Sequence, residues 1–171
     1  LSAWKGKLVG ISSAGWIRVW QRTDNGFHLV DGPYALGPID LPVGALHRGI
    51  GDVPPKTDGM VCPIEGTNCG RNYEGICLAP TTAGINPLLC AGYALSKADG
   101  HLYCLMLDLD SHHLVVHRDK AIAVGRPGTA ADCAFDDTGT LWVGHNVFAM
   151  NQVQRIDHAL ELDPVEATAG A

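Results

Sequence analysis

His112, His113 and His117 come nearest, by type and spacing, to a metal site. On a helix, His113 and His117 would stand at i, i+4 and converge on one ion. On a strand, four residues span ~13 Å, too far to share it. The local sequence reads as strand, so the expected use is two histidines at a turn and one at a strand end. Nucleophile and phosphate motifs stop short. Gly10-Ile11-Ser12-Ser13-Ala14 lacks the last glycine of G-x-S-x-G, and Gly49-Ile50-Gly51-Asp52-Val53-Pro54 lacks that of G-x-G-x-x-G. No H-E-x-x-H occurs. These motifs lean away from an enzyme.

The six cysteines show no C-x-x-C spacing, which argues against a zinc ribbon or a thioredoxin-like site. Cys62, Cys69 and Cys77 lie in the turn-rich stretch Gly51 to Pro80, where a long loop gains most from a cross-link. These three are the disulfide candidates. Cys90, Cys104 and Cys133 sit in apolar runs and read as small buried thiols. Trp16 and Trp20 have the same strand parity and share a face with Arg18 and Arg22. A mixed Trp/Arg face suits a protein interface, while burial between sheets is the commoner use of tryptophan. Trp16, Arg18, Trp20 and Arg22 form the candidate binding face.

The elements that must position these residues are short strands. Gly and Pro make up 31 of the 171 residues, about 18%, against an average near ~12%. Such a chain turns often. Its hydrophobic content of 46% excludes disorder. A net charge of −6 with no basic run argues against nucleic acid as a partner. The longest apolar run, Leu88 to Leu95, is well short of the ~18 residues of a membrane span. The N-terminal residues lack the apolar core of a signal peptide, and Leu1 in place of Met reads as processing or as a start lying upstream.

Helical periodicity is confined to Asn151 to Leu162, where Val153, Ile156 and Leu160 recur at i, i+3, i+7. Elsewhere apolar runs alternate with turn signals. Leu8 to Ser12, Trp16 to Arg22 and Phe27 to Val30 are strands, the last two joined at Asp24-Asn25-Gly26. The run from Leu102 is apolar on both faces, with Leu102, Cys104 and Met106 on one and Tyr103, Leu105 and Leu107 on the other. That predicts a strand covered by layers on both sides.

A repeat links these strands. The stretch from Ala94 to Cys104 matches that from Ala134 to Val143, about 40 residues on. The series Leu8–Ser12, Trp16–Trp20, Phe27–Asp31 parallels Trp142–Asn146, Val153–Ile156, Ala159–Asp163, the units closing in Asp-Gly-Pro and Asp-Pro. The alignment turns Val153–Ile156 from helix to strand, since three matched elements outweigh one short period.

The segment from Asp132 to Asn146 resembles the "D-x-A-x-D-x-x-G-x-L-W-V" blade of NHL, YVTN-type and SMP-30/gluconolactonase-like β-propellers. The first unit, Ser12 to Arg22, resembles WD-like repeats of phage-encoded structural proteins. About 100 residues are covered, and the motifs mark a blade, not a function. The SMP-30 resemblance implies a divalent ion, calcium or zinc, on Asp132, polarising a lactone or phosphoester. Ala131 and Cys133 stand where that family has Pro and Gly, and its Glu and Asn ligands have no counterpart. The commoner role of Asp132, Asp136 and Asp137 is turn capping.

At ~40 residues per blade the chain is barely long enough for four, the smallest closed number. Three units are found, with Pro33 to Pro87 unmatched. Either the chain is part of a longer propeller, or copies or a partner complete a ring, or the sheets form a β-sandwich. The expected fold is therefore all-β: one domain, residues 1–171, of antiparallel, propeller-like meander sheets with a turn-rich, cysteine-containing insertion at about 33–87, whose stretch Gly51 to Pro80 serves subunit contacts. The expected function is a non-enzymatic binding or structural module without cofactor, first a phage virion decoration or tail-associated protein. A protein partner or self-association is expected, in a virion or extracellular setting. The alternatives are a metal-dependent lactonase of SMP-30 type and an oligomeric lectin-like binder using exposed tryptophan.

Overall fold

The computed structural model describes residues 1–36, 62–65, 70–80, 86, 90–147 and 150–160. Among them there is no helix. Eleven strands form three antiparallel sheets, none closed on itself. The first sheet is a meander of β1 (Ser2–Trp4), β2 (Lys7–Ile11), β3 (Trp16–Thr23) and β4 (Gly26–Ala35). The middle sheet runs through β5 (Tyr73–Leu78), β6 (Gly92–Ser96), β7 (His101–Leu107) and β8 (Leu114–Ala123). The third contains β9 (Ala130–Phe135), β10 (Leu141–Val147) and β11 (Met150–Ile156). In each sheet, neighbours in sequence are neighbours in space, as turn-rich chains with short connections favour. The opening strands of the sheets also approach one another: β5 packs against β1 and β2 on one side and β9 on the other.

Side-chain alternation explains the stacking. In β6 and β7, Tyr93, Leu95, Leu102 and Cys104 face the third sheet, where they bury Cys133, Leu141, Val143 and Ile156. The opposite parity, Ala94, Tyr103 and Leu105, faces the first sheet and packs with Val9, Ile17 and Val19. The two-faced burial expected of the Leu102 run is thus present, and Leu102, Cys104 and Leu105 are each 0% exposed. The middle sheet has a neighbour on each face.

The repeat aligns with real hairpins, in two registers. Lys7–Ile11 and Trp16–Thr23 occupy the second and third places of their sheet, as do their matches β10 and β11. The match between Ala94–Cys104 and Ala134–Val143 pairs β6–β7, second and third, with β9–β10, first and second. A strand, a Gly turn and an apolar strand form a hairpin wherever they fall, so the local pattern does not reveal its place in the sheet. Val153–Ile156 is a strand, as the alignment requires, and the helical reading of Asn151–Leu162 is wrong: β11 pairs with β10 from Met150↔Val147 to Ile156↔Leu141. Positions 161–163, the end of the match, lie outside the described residues.

Two other boundaries move. β4 does not close at Asp31-Gly32-Pro33 but continues to Ala35, because Gly32 sits at a bulge where a Cβ would lie 2.4 Å from the Ile17 carbonyl. The turn-rich segment at about 33–87 contains β5, five of whose six residues are buried. Its apolar run, Ile76-Cys77-Leu78-Ala79, is too short to stand out between glycines and prolines. Residues 37–61, 66–69, 81–85 and 87–89 lie outside the described residues.

Two of the three candidate cysteines, Cys62 and Cys77, are disulfide-bonded, but the pairing differs from expectation. Cys77 pairs not with Cys62 or Cys69 but with Cys133, joining β5 to β9 across 56 residues of chain with Cα atoms 5.6 Å apart. Cys90 and Cys104, read as thiols, also form a bridge, with Cα atoms 5.7 Å apart. Apolar burial brings these sulfurs together, so the burial that suggested inert thiols is what pairs them. Cys62 is disulfide-bonded, and Cys69 lies outside the described residues.

This packing makes two outcomes measurable. Replacing Cys77 and Cys133 by alanine lowers unfolding stability by about 2–4 kcal/mol, the effect of losing a long cross-link; urea titration reads it. Gly92→Ala lowers it by about 3 kcal/mol, since a Cβ there would meet the Cys77 carbonyl at 2.2 Å and Leu78 Cα at 2.7 Å. A Gly92→Ala midpoint equal to wild type would show that β5 and β6 can separate at no cost.

Candidate functional site

The alternation that buries Ile17 and Val19 turns Trp16, Arg18, Trp20 and Arg22 to the far side of the first sheet. Strand register completes that face. Leu8 and Leu29 flank Trp20, Gly10 lies opposite Arg18, and Phe27 lies opposite Arg22. A Cβ on Gly10 would meet the Trp20 ring at 2.8 Å and Leu1 Cδ2 at 2.7 Å, so both side chains lie across bare backbone. Leu1 is 76% exposed, Phe27 57% and Leu29 50%. Large apolar side chains this exposed on one sheet face form a patch of the kind that marks interaction sites. Among the described residues, the registered positions of the face carry Arg18 and Arg22 and no carboxylate.

Trp16 stands apart from this patch. Its Nε1–H donates to the Cys62 carbonyl at 2.8 Å, and its ring packs with Ala14 and Cys62. The candidate face read from sequence omitted Phe27 and Leu29. Their alternation was legible, and the Asp24-Asn25-Gly26 hairpin, which sets Thr23 opposite Gly26, fixes their parity with Trp20 and Arg22.

Asp132 lies on β9, exposed, with Oδ1 accepting from the Cys133 amide at 2.8 Å. Among the described residues no group of three His, Cys, Asp or Glu side chains could hold a metal ion. Asp136 caps its turn: Oδ1 accepts from the Thr138 hydroxyl at 2.6 Å and from the Thr138 and Thr140 amides at 3.0 Å each. Its Oδ2 accepts from Trp142 Nε1 at 2.9 Å. Hydrogen bonds to the charged form, first from Thr138 and then from Trp142, hold this carboxyl down at about 2. The histidines separate as the strand reading requires. His112 lies in the Asp108–His113 turn, and His113 stacks on Tyr34 at 3.8 Å with Asp31 3.5 Å from its Nε2. His117 lies on β8.

One cluster was not anticipated. At the β6–β7 turn, the largely buried Asp99 accepts from the Tyr103 hydroxyl and from the His101 amide at 3.2 Å. His101 Nδ1–H donates to the Asp99 carbonyl at 3.0 Å and lies 3.6 Å from the carboxylate. Arg71 lies 3.4 Å above the Tyr103 ring. Burial pushes the Asp99 carboxyl up, but hydrogen bonds from His101, Tyr103 and Ser96 outweigh it and its pKa falls. The bond to Asp99 raises the His101 pKa against the opposing effect of burial. Burial drives Tyr73 beside it up to about 12. Hydrogen bonds engage the Asp99, Tyr103 and Ser96 side chains, and together they hold the turn. Asp99-Gly100-His101 belongs to the repeat, but Arg71 and Tyr73 reach it from β5 and its approach, which the repeat does not include.

No protein-family model matches the chain, and no curated protein matches it. No helix among the described residues is long and apolar enough to cross a membrane.

The cluster yields a pH prediction. His101 binds its proton more tightly when folded, so its contribution is full below its unfolded pKa and is lost as pH rises through the folded value. Asp99 has the reverse sense: its contribution is present above its unfolded pKa and is lost as pH falls through the folded value. The melting-temperature difference between wild type and His101→Gln is therefore largest from about pH 4 to 6 and shrinks toward pH 8. A difference independent of pH would show that the His101–Asp99 pair does not couple protonation to folding.

Proposed function

We propose that the chain is a non-enzymatic binding module whose three meander sheets are consecutive blades of a propeller-like array. The far side of the first sheet is its docking face. The observation that carries this reading is the patch of Leu1, Leu8, Trp20, Phe27 and Leu29 flanked by Arg18 and Arg22. Exposed aromatic and arginine side chains in one patch are what protein interfaces concentrate. Blade-like succession is supported by the meander order of each sheet and by β5 meeting both β1 and β9. The middle sheet, covered on both faces, is the arrangement an interior blade has. The bridges Cys77–Cys133 and Cys90–Cys104 support an oxidising setting, outside the cytosol or on a virion surface.

A photo-crosslinking residue placed at Phe27 tests the reading, with one at Leu109, an equally open position (64% exposed) on the β7–β8 turn, as the control. Phe27 is expected to give a discrete protein adduct in the native extract and Leu109 none. The adduct is expected to disappear when Arg18 and Arg22 are both changed to Glu. No adduct from Phe27, or equal labelling from both positions, overturns the docking face.

A further inference from the structure

Among the described residues, the far side of the third sheet is also open. Leu141 and Val143 turn toward the middle sheet, leaving Trp142, Gly144, Val153 and Arg155 on the opposite parity. Trp142 is 38% exposed and Val153 68%. A Cβ on Gly144 would meet nothing nearer than the Asp132 carbonyl at 3.7 Å, so the sheet has a hollow between Trp142 and Val153. The first sheet has the opposite shape, with Phe27 and Leu29 standing out from it beside the Trp20 ring. Charge differs too. Arg18 and Arg22 stand on the first sheet's face, while the third's carries the exposed Asp132 opposite Gly144 and Asp136 bonded to Trp142, with Arg155 already paired to Asp157 at 2.9 Å.

We infer that these two faces cover each other between two copies of the chain, the first sheet of each copy seated on the third sheet of the other. This deepens the binding-module reading and rests on it. The occupant is a second copy because the matching face lies on the same molecule. The contact also continues the order already present: first sheet on middle, middle on third, third on the next first. A head-to-tail contact closes only if its rotation closes. Two copies of three sheets make six, within the range of about four to eight sheets in closed radial arrays. The six-sheet ring has two identical interfaces, each pairing apolar projections with a hollow and arginines with aspartates.

The test uses the whole chain. Phe27→Asp and Val153→Asp each change a side chain more than half exposed, so folding is preserved and circular dichroism checks it. Native mass spectrometry and sedimentation are expected to find a dimer for wild type. Each variant is expected to raise the dimer dissociation constant by at least about tenfold, the loss of one central contact in an interface. Mixed together, the two variants are expected to recover heterodimers, since one copy retains an intact first-sheet face and the other an intact third-sheet face. The wild-type dimer is also expected to weaken as salt rises.

A wild-type dimer broken by Phe27→Asp but indifferent to Val153→Asp would show first sheet against first sheet and overturn the head-to-tail ring. A monomer at every concentration, with Phe27 still crosslinking a different protein, would overturn the second copy while the docking face stands. A monomer with no Phe27 adduct would overturn both.

Discussion

Leu95 and Leu102 on one face of the middle sheet, and Ala94 and Leu105 on the other, are withdrawn from solvent to the last few square ångströms. A sheet with no wet face cannot stand alone, because both of its apolar surfaces need a covering layer. The first and third sheets supply those layers, and their own positions follow from the need. Ile17 and Val19 point inward on the first sheet because the middle sheet is there; Leu141 and Val143 do so on the third. Side chains alternate along a strand, so the same requirement sends Trp20, Arg18, Trp142 and Val153 outward. The outer faces are consequences of the inner ones.

Much of this was legible in the sequence. The all-β class, the strand limits near Trp16 and Phe27, and the two-faced run at Leu102 follow from period and turn chemistry alone. The parity of Trp16, Arg18, Trp20 and Arg22 was legible for the same reason: a strand has only two faces. What a strand packs against was not legible. Nothing near Cys77 in sequence points to Cys133, and nothing near Asp99 points to Arg71 and Tyr73, since these contacts form only when β5 takes its place beside β9 and β6. β5 itself hides in a segment full of glycine and proline, where six residues make too little pattern to be read.

Asp132 shows why a blade motif does not by itself assign a metal. An aspartate on the first strand of a strand–turn–strand unit serves equally as a ligand or as a partner for backbone amides, and only neighbours from other strands decide between them. Here the nearest bond is to the next residue's amide. Asp136, four residues on, shows the same use in fuller form, holding a turn and an indole ring at once.

The bridge between Cys77 and Cys133 joins the middle and third sheets covalently, whereas the first sheet is held to the middle one by packing and by hydrogen bonds such as that from the Leu78 amide to the Ser2 hydroxyl. The molecule is therefore divided into a stapled pair and a detachable layer. Partial opening will separate along that line, so amide exchange at Val9 and Val19 will outrun exchange at Leu95 and Val143. Reduction of the bridge removes that staple and leaves packing to hold the third sheet to the middle one, so the redox state of one buried cystine bears on how the stack comes apart.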